Sequence, residues 1–211
     1  MIIDTHTHHS HRTCAIINAP ISDFEPSDGI YYSVGIHPWD IHKTDCEKDL
    51  KSITELTTLN THIVAIGDCG LDPFSTAPDD EQLTVFEKHI ALSEQLEKNL
   101  IIHCVKRYNE ILQLHRCHKP QQPWILHGFR SNANVLRPLL AQSGIYFSIG
   151  EKFNEEAVKL IPSERLLIET DESLLSIEEI ASRIATARGE TTQELLNSIA
   201  QNNRNLFLTR G

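Results

Sequence analysis

Short apolar runs that alternate with helical patterns constrain the fold of this chain more than any other feature. Eight runs have the character of β-strands, and several are nearly continuous in Ile, Val and Leu, as expected for strands covered on both faces. They are Ile2–Thr5, Ala15–Asn18, Ile30–Gly35, Ile63–Gly67, Leu100–His103, Trp124–Leu126, Ile145–Ser148 and Leu166–Ile168. This alternation predicts an α/β protein with a TIM-type (β/α)8 barrel.

Helical patterns separate most of the strand candidates. Four apolar stripes recur at spacings of three and four residues, which places each stripe on one helix face; they start at Leu50, Leu83, Ile111 and Val135. Capping boxes predict two further helices, at Ser176–Glu179 and Thr191–Glu194. An open parallel sheet is the alternative, but no Gly-x-Gly-x-x-Gly or Gly-Lys-Ser/Thr loop supports a nucleotide-binding version of it.

The first part of the predicted barrel has little room for helices. His9–Thr13 is too short for a helix, and Ala19–Gly29 contains Pro20 and Pro26. We therefore predict one barrel domain over residues 1–211, with helices 1 and 2 shortened or missing. A barrel wall without helices would expose apolar surface, so a homodimer formed through this wall is a hypothesis.

Composition limits the partners and the compartment. The formal net charge of −10 disfavours broad non-specific binding to duplex phosphates. No apolar run approaches the ~20 residues needed to span a membrane, and the start, Met1–Asp4, lacks the basic and apolar stretches of a signal peptide. The five cysteines are odd in number and include no Cys-x-x-Cys pair, which predicts a reducing, cytoplasmic location.

Metal-ligating side chains recur at the ends of the predicted strands. His6 and His8 are two residues apart, so in a strand they point to the same side, and imidazole is the commonest protein ligand for metals. The other strand ends carry His37, Asp68, His103, His127, Glu169 and Asp171. These residues predict a site for one or two divalent ions per chain, drawn from Zn, Mn, Fe, Ni or, less favourably, Mg.

The same segments resemble the TatD family of metal-dependent hydrolases, which are amidohydrolase-like barrels. The resemblance is carried by Asp4–His8, Gly35–Pro38, Ala65–Asp72, Ile101–Cys104, Leu126–Phe129, Leu167–Asp171 and Ala200–Phe207. These stretches span nearly the whole chain in order. The resemblance implies a phosphodiesterase or deoxyribonuclease that acts on phosphoesters, typically at DNA ends, with a metal-activated water.

The resemblance also implies roles for individual residues. One metal would be bound by His6, His8 and Asp171, and the second by His103 and His127. Asp68 would take the bridging position. Asp171 would also orient or deprotonate the attacking water, because a carboxylate beside such a water is a natural general base.

Three residues are candidates for contacts with the substrate. By resemblance, His37 would lie at the rim and face the substrate. Arg130 and Lys106 follow two of the ligand histidines, and we predict that they contact phosphate, since guanidinium and ammonium groups suit phosphate oxygens.

Two departures from the family pattern keep alternatives open. Asp68 stands where the family normally has Glu, and its side chain reaches ~1.5 Å less far, so we expect at least one well-bound metal and make the second depend on Asp68. Glu172 adds negative charge near the predicted mouth, which disfavours a polyanionic substrate. The alternatives are a metal hydrolase of small esters, amides or phosphomonoesters, and a weakly active barrel with a binding role.

Overall fold

Eight parallel strands form a closed barrel in the computed structural model, which describes residues 2–208. The strands are β1 (Asp4–Thr7), β2 (Ala15–Asn18), β3 (Tyr31–Val34), β4 (Ile63–Leu71), β5 (Asn99–Cys104), β6 (Trp124–Leu126), β7 (Ile145–Ile149) and β8 (Leu166–Ile168). They follow one another in sequence order, and β1 pairs with β8 through Asp4 and Ile168. The predicted barrel and all eight predicted strands are confirmed.

Within residues 2–208, seven α-helices accompany the strands. They are α1 (Cys46–Leu59), α2 (Asp79–Gln95), α3 (Tyr108–His118), α4 (Ala133–Leu140), α5 (Glu155–Leu160), α6 (Ile177–Arg188) and α7 (Thr192–Asn203). Both predicted capping boxes form, at the starts of α6 and α7. Segments 8–14 and 19–30 contain no helix, as predicted. No stripe predicted α5, because its single turn and a half buries little more than Ala157 and Val158.

The chain divides into two compact units, of which the first comprises residues 2–17 and 125–208. In this unit α6 packs against α5 and α7, and α7 packs against β8. The helices contribute Ile180, Ile184, Leu195 and Ile199, all of which are buried. Burial of each such side chain is worth roughly 1.5–3 kcal/mol, so these contacts hold β8, and the residues that follow it, in place.

The second unit comprises residues 18–124 and is built around β4. All nine residues of β4 are buried, and α2 packs against this strand. A Cβ added to Gly67 would lie 2.3 Å from the carbonyl oxygen of Ile101, and one added to Gly70 would lie 2.0 Å from that of His103. The two glycines therefore let the backbones of β4 and β5 approach closely, at the strand ends that carry Asp68 and His103.

The predicted bare wall of the barrel is covered within the single chain. Ala15, Ile16 and Ile17 of β2 are buried, although the segments on either side of β2 are not helical. Because β2 is buried, a contact between two copies of the protein would involve segments 8–14 and 19–30 rather than β2. The homodimer stays a prediction. Among the described helices, none has the length and the apolar character to cross a bilayer.

Candidate metal centre

A group of histidines and an aspartate lies at the C-terminal ends of β1, β6 and β8 in the first unit. One ligand atom from each of His6, His127 and Asp171 lies within 4.8 Å of the others. The rings of His6 and His127 are 4.4 Å apart between centroids. Asp171 Oδ1 is 3.8 Å from Nε2 of His6 and 3.6 Å from Nε2 of His8. We call these four residues the first cluster.

Backbone pairing between β1 and the segment after β8 builds the first cluster. The N–H of Asp171 donates to the carbonyl of His6 at 2.9 Å, and the N–H of His8 donates to the carbonyl of Asp171 at 3.2 Å. Asp171 has a φ of 51°, in the left-handed region, which aspartate tolerates better than most residues. These main-chain bonds fix the backbone of Asp171, and its side chain remains 40 % exposed.

The buried aspartate Asp4 holds the segment that follows β8 in place. Asp4 accepts from the N–H of Thr170 at 2.9 Å and from its hydroxyl at 2.6 Å. Burial raises the pKa of Asp4 to about 7, although the bonds from Thr170 act in the opposite direction. Thr170 lies directly before Asp171, so Asp4 sets the position from which the Asp171 carboxylate projects.

Glu169 supports His127 from inside the barrel. Its Oε1 accepts from the N–H of Gly128 at 2.6 Å and lies 3.3 Å from Nδ1 of His127. Burial raises the pKa of Glu169, and the neighbouring His127 lowers it in part. A carboxylate at Nδ1 keeps the proton there and makes Nε2 the acceptor nitrogen, as in many histidine ligands of metals.

The second unit contains a second cluster at the ends of β3, β4 and β5. Ligand atoms of His37, Asp68 and His103 lie within 4.8 Å of one another. The rings of His37 and His103 are 4.4 Å apart, and Nε2 of His37 is 3.9 Å from Asp68 Oδ2. Asp68 is buried, and its N–H donates to Oδ1 of Asn18 at 3.2 Å.

The two histidines of the second cluster differ in the nitrogen that they offer. The N–H of Trp39 donates to Nδ1 of His37 at 3.2 Å, so in a neutral ring the proton lies on Nε2. His37 then acts as a hydrogen-bond donor rather than as a ligand through Nε2. Nε2 of His103 lies 3.0 Å from Asp72 Oδ2, which makes Nδ1 of His103 its acceptor nitrogen.

Asp72 joins the loops around the second cluster. Its Oδ2 accepts from the indole Nε1 of Trp39 at 2.9 Å, and its Oδ1 accepts from the N–H of Phe74 at 2.9 Å. The side chain of Gln82, in the first turn of α2, bonds both the N–H and the carbonyl of Asp72. The carboxylate is buried. Its oxygens meet the indole N–H of Trp39, the backbone N–H of Phe74 and the ring of His103 instead of water.

A polar cavity of about 360 Å³ opens beside Asp171 in the first unit. Arg130 and Lys152 contribute positive charge to its lining, and four carboxyl groups also line it, those of Glu151, Glu169, Asp171 and Glu172. The hydroxyl of Ser173 donates to Glu151 at 2.7 Å on the same wall. In the second unit, Nζ of Lys106 lies 5.1 Å from the ring centroid of Phe74.

The donor set of both clusters fits a divalent ion, because imidazole nitrogens and carboxylate oxygens converge within bonding reach of a common point. The structure groups His127 with His6 and Asp171, and it groups His103 with Asp68. Asp72 was absent from the predicted site, and Glu169 was noted at a strand end without a role of its own. Both stand in the segments that resemble the family, but only their contacts with histidines reveal a role.

Comparison with known proteins identifies the family of this chain. The sequence profile described as TatD related DNase matches residues 2–208. The chain belongs to this family. An uncharacterized metal-dependent hydrolase of Bacillus subtilis, YabD, is 32% identical over 206 residues, which cover 87% of this chain and 79% of the relative. The TatD family membership and a metal-dependent hydrolase are therefore confirmed.

A second relative and a solved structure extend the comparison. A 3′-5′ ssDNA/RNA exonuclease TatD of Pantoea vagans is 26% identical over 87% of this chain and 80% of its own length. The crystal structure of YJJV, a TatD homologue of Escherichia coli K12, superimposes with a TM-score of 0.85 over 98% of this chain and 97% of that chain, at 18% identity. The latter similarity shows the fold of the TatD family alone.

Proposed function

We propose that this protein is a divalent-metal-dependent phosphodiesterase that removes nucleotides from the ends of single-stranded DNA or RNA. The observation that carries the proposal is the first cluster, where His6, His127 and Asp171 converge within 4.8 Å beside a polar cavity with Arg130 in its lining. Relatives named as 3′-5′ ssDNA/RNA exonucleases support the substrate class.

We infer that each chain holds one or two ions. His6, His8, His127 and Asp171 would hold the first ion. Asp68 and His103 would hold the second, and nitrogen and oxygen donors of this kind suit Zn, Mn, Fe or Ni better than Mg. A bound ion of this class lowers the pKa of a water and neutralises charge that develops on a phosphoryl group.

Asp171 is the residue that we propose as the general base. Its carboxylate is half-exposed and its backbone is fixed by bonds to His6 and His8. The Asp171 carboxylate would therefore face the attacking water from a fixed position in the backbone, as general-base catalysis requires. Asp4 and Thr170 would preserve this orientation through the reaction, because their hydrogen bonds do not involve the substrate.

Cationic and donor groups around the clusters would position the phosphate. Arg130 and Lys152 line the cavity beside Asp171, and a guanidinium fork matches two phosphate oxygens. Nε2–H of His37 would donate a hydrogen bond to the substrate, which is consistent with the predicted position at the rim. Lys106 would contact a phosphate of the substrate.

The whole chain, residues 1–211, would act as one barrel domain. The five cysteines are free, which supports the prediction of a reducing, cytoplasmic compartment.

The experiment is a cleavage assay on a 5′-labelled single-stranded oligonucleotide with Mn²⁺ or Zn²⁺. We expect a ladder that shortens from the 3′ end and that EDTA abolishes. Asp171→Asn should lower the rate at least about 100-fold, the scale of a lost general base. His118→Ala is the matched control, because His118 is an exposed histidine at the end of α3.

The same assay separates the alternatives. Cleavage that persists in His6→Ala would come from a contaminating nuclease and would contradict the proposal. Turnover of a nitrophenyl phosphomonoester or an amide, without cleavage of any oligonucleotide, would favour a hydrolase of small substrates instead. Metal binding without turnover of any substrate would favour a barrel with a binding role.

A further inference from the structure

Two exposed aromatic side chains lie beside the second cluster. Among the Phe, Tyr and Trp residues of segment 2–208, only Trp39 and Phe74 are exposed, with exposed fractions of 49% and 65%. Trp39 follows β3 and Phe74 follows β4. A single exposed apolar residue needs no explanation, but both exposed rings lie within three residues of a residue of the second cluster or of its partner Asp72.

Hydrogen bonds hold the ring of Trp39 and the backbone of Phe74 in place. The indole N–H of Trp39 and the backbone N–H of Phe74 both donate to the buried carboxylate of Asp72, each at 2.9 Å. The hydroxyl of Ser75 donates to the carbonyl of Pro38 at 2.6 Å, which ties the two loops together a second time. Such anchoring lowers the conformational entropy that a ligand must overcome on binding.

A cation accompanies the rings. Nζ of Lys106 lies 5.1 Å from the centroid of the Phe74 ring, and Lys106 is itself exposed. Its neighbour Arg107 is paired with Asp79 and Glu110. In a chain with a formal net charge of −10, a lysine beside exposed rings supplies the local attraction for a phosphate that the whole protein does not.

We propose that Trp39, Phe74 and Lys106 form a binding surface for single-stranded nucleic acid. We name it the aromatic platform. Bases would stack on the two rings, and Lys106, which lies beside the ring of Phe74, would contact a phosphate of the same nucleic-acid strand, as in proteins that bind single strands without reading their sequence. Only unpaired bases expose the faces that stacking needs, so the platform selects single strands over duplexes. This inference rests on the proposed function, because it names the substrate that approaches the same site.

Tryptophan fluorescence gives a direct test. The chain contains two tryptophans, of which Trp124 is fully buried and Trp39 is exposed. We expect a single-stranded oligonucleotide with hydrolysis-resistant phosphorothioate linkages to quench the exposed component in the metal-loaded protein. The quenching should be absent in Trp39→Phe, while the emission of Trp124 shows that this variant is folded.

Binding affinities test the stacking itself. By fluorescence anisotropy, Phe74→Leu should bind the oligonucleotide about tenfold more weakly, the scale of one lost base stack. An abasic strand with the same number of phosphates should already bind the wild type more weakly, and Phe74→Leu should not weaken its binding further. Lys106→Gln should reduce the dependence of binding on salt by about one phosphate contact. Leu59→Ala, which truncates an exposed leucine at the far end of α1, is the matched control.

The outcomes distinguish this inference from the proposed function. Unchanged oligonucleotide binding in Phe74→Leu and Trp39→Leu, or equal losses on the abasic strand, would overturn the platform even if the protein cleaves nucleic acid. Binding that depends on the platform without any cleavage would support the platform and contradict the phosphodiesterase. If Trp39→Leu changed the mass of the protein in solution but not its binding of the oligonucleotide, the rings would form a contact between copies of the protein. The platform would then be wrong.

Discussion

The carboxylate of Asp72 lies 3.0 Å from Nε2 of His103, although Asp72 itself belongs to neither cluster. The same oxygen accepts from the indole of Trp39. One buried carboxylate therefore orients a histidine of the second cluster and an exposed ring. Carboxylates behind ligand histidines typically increase metal affinity by fixing the tautomer and the ring orientation.

We predict that Asp72→Asn weakens metal binding by about 10- to 100-fold. The amide removes the negative charge that favours a proton on Nε2 of His103. Isothermal titration with Mn²⁺ or Zn²⁺ measures the change in affinity. Asp40→Asn is the matched control, because Asp40 is an exposed aspartate paired with Lys43. Equal affinities of the Asp72→Asn and Asp40→Asn variants would show that Asp72 has a packing role only.

Glu169→Gln should weaken metal binding at the first cluster. The amide oxygen can still accept from the N–H of Gly128, but the charge that holds the proton on Nδ1 of His127 is lost. We expect a loss of affinity of about tenfold or more, measured by competition with a chelator. Glu164→Gln, at an exposed glutamate before β8, should bind metal as the wild type does. A stoichiometry and affinity unchanged in Glu169→Gln would contradict this role.

His89 makes stability depend on pH. It is fully buried in α2, where Nδ1 donates to the carbonyl of Val85 and Nε2 accepts from the N–H of Ile36. Burial lowers the pKa of His89 to about 4. Between pH 6.5 and 4 the unfolded chain therefore binds a proton at this residue that the folded protein does not, and the folded protein loses stability as the pH falls.

The size of this effect follows from linkage. Each pH unit in that window should cost about 1.4 kcal/mol of unfolding free energy from this one residue. Denaturant melts at several pH values measure the slope, and His89→Gln should show a smaller one. His62→Gln serves as a control at a less buried histidine. Equal slopes in the wild type and in His89→Gln would show that the protonation of His89 does not limit stability.

The homodimer remains open to a direct test. Phe24 lies in the non-helical segment 19–30, half-buried with its ring 5.0 Å from that of Tyr32. If this segment forms the dimer contact, Phe24→Asp should halve the mass measured by light scattering at high protein concentration, because an interface disfavours an unpaired charge. Leu59→Asp should leave the mass unchanged. A wild type that is strictly monomeric at high concentration would end the hypothesis.

The sequence predicted the elements whose pattern is local. Strand runs such as Leu100–His103 and the capping box at Ser176 depend on neighbouring residues, and both appear where expected. The short helix α5 was not predicted, because its few buried residues form no apolar stripe. His6 and His103 were predicted as ligands from their place at strand ends, which the order of strands in the barrel largely determines.

The supporting residues could not be predicted in the same way. Asp72 contacts His103 across 31 positions of sequence, and Glu169 contacts His127 across 42. Neither contact leaves a periodic signal, and each depends on the rotamer of a side chain inside a packed site. The exposure of Trp39 is equally invisible in a pattern, because an aromatic residue after a strand is usually part of the core.

The pairing between Thr7 and Asp171 joins positions that are 164 residues apart. A ribosome completes His6 and His8 early, yet their aspartate partner emerges only after β8 has been translated. A nascent chain that ends before β8 therefore presents two adjacent imidazoles without the carboxylate of the first cluster. Under the proposed function, the full ligand set of this cluster is complete only after the last strand and Asp171 have been synthesised.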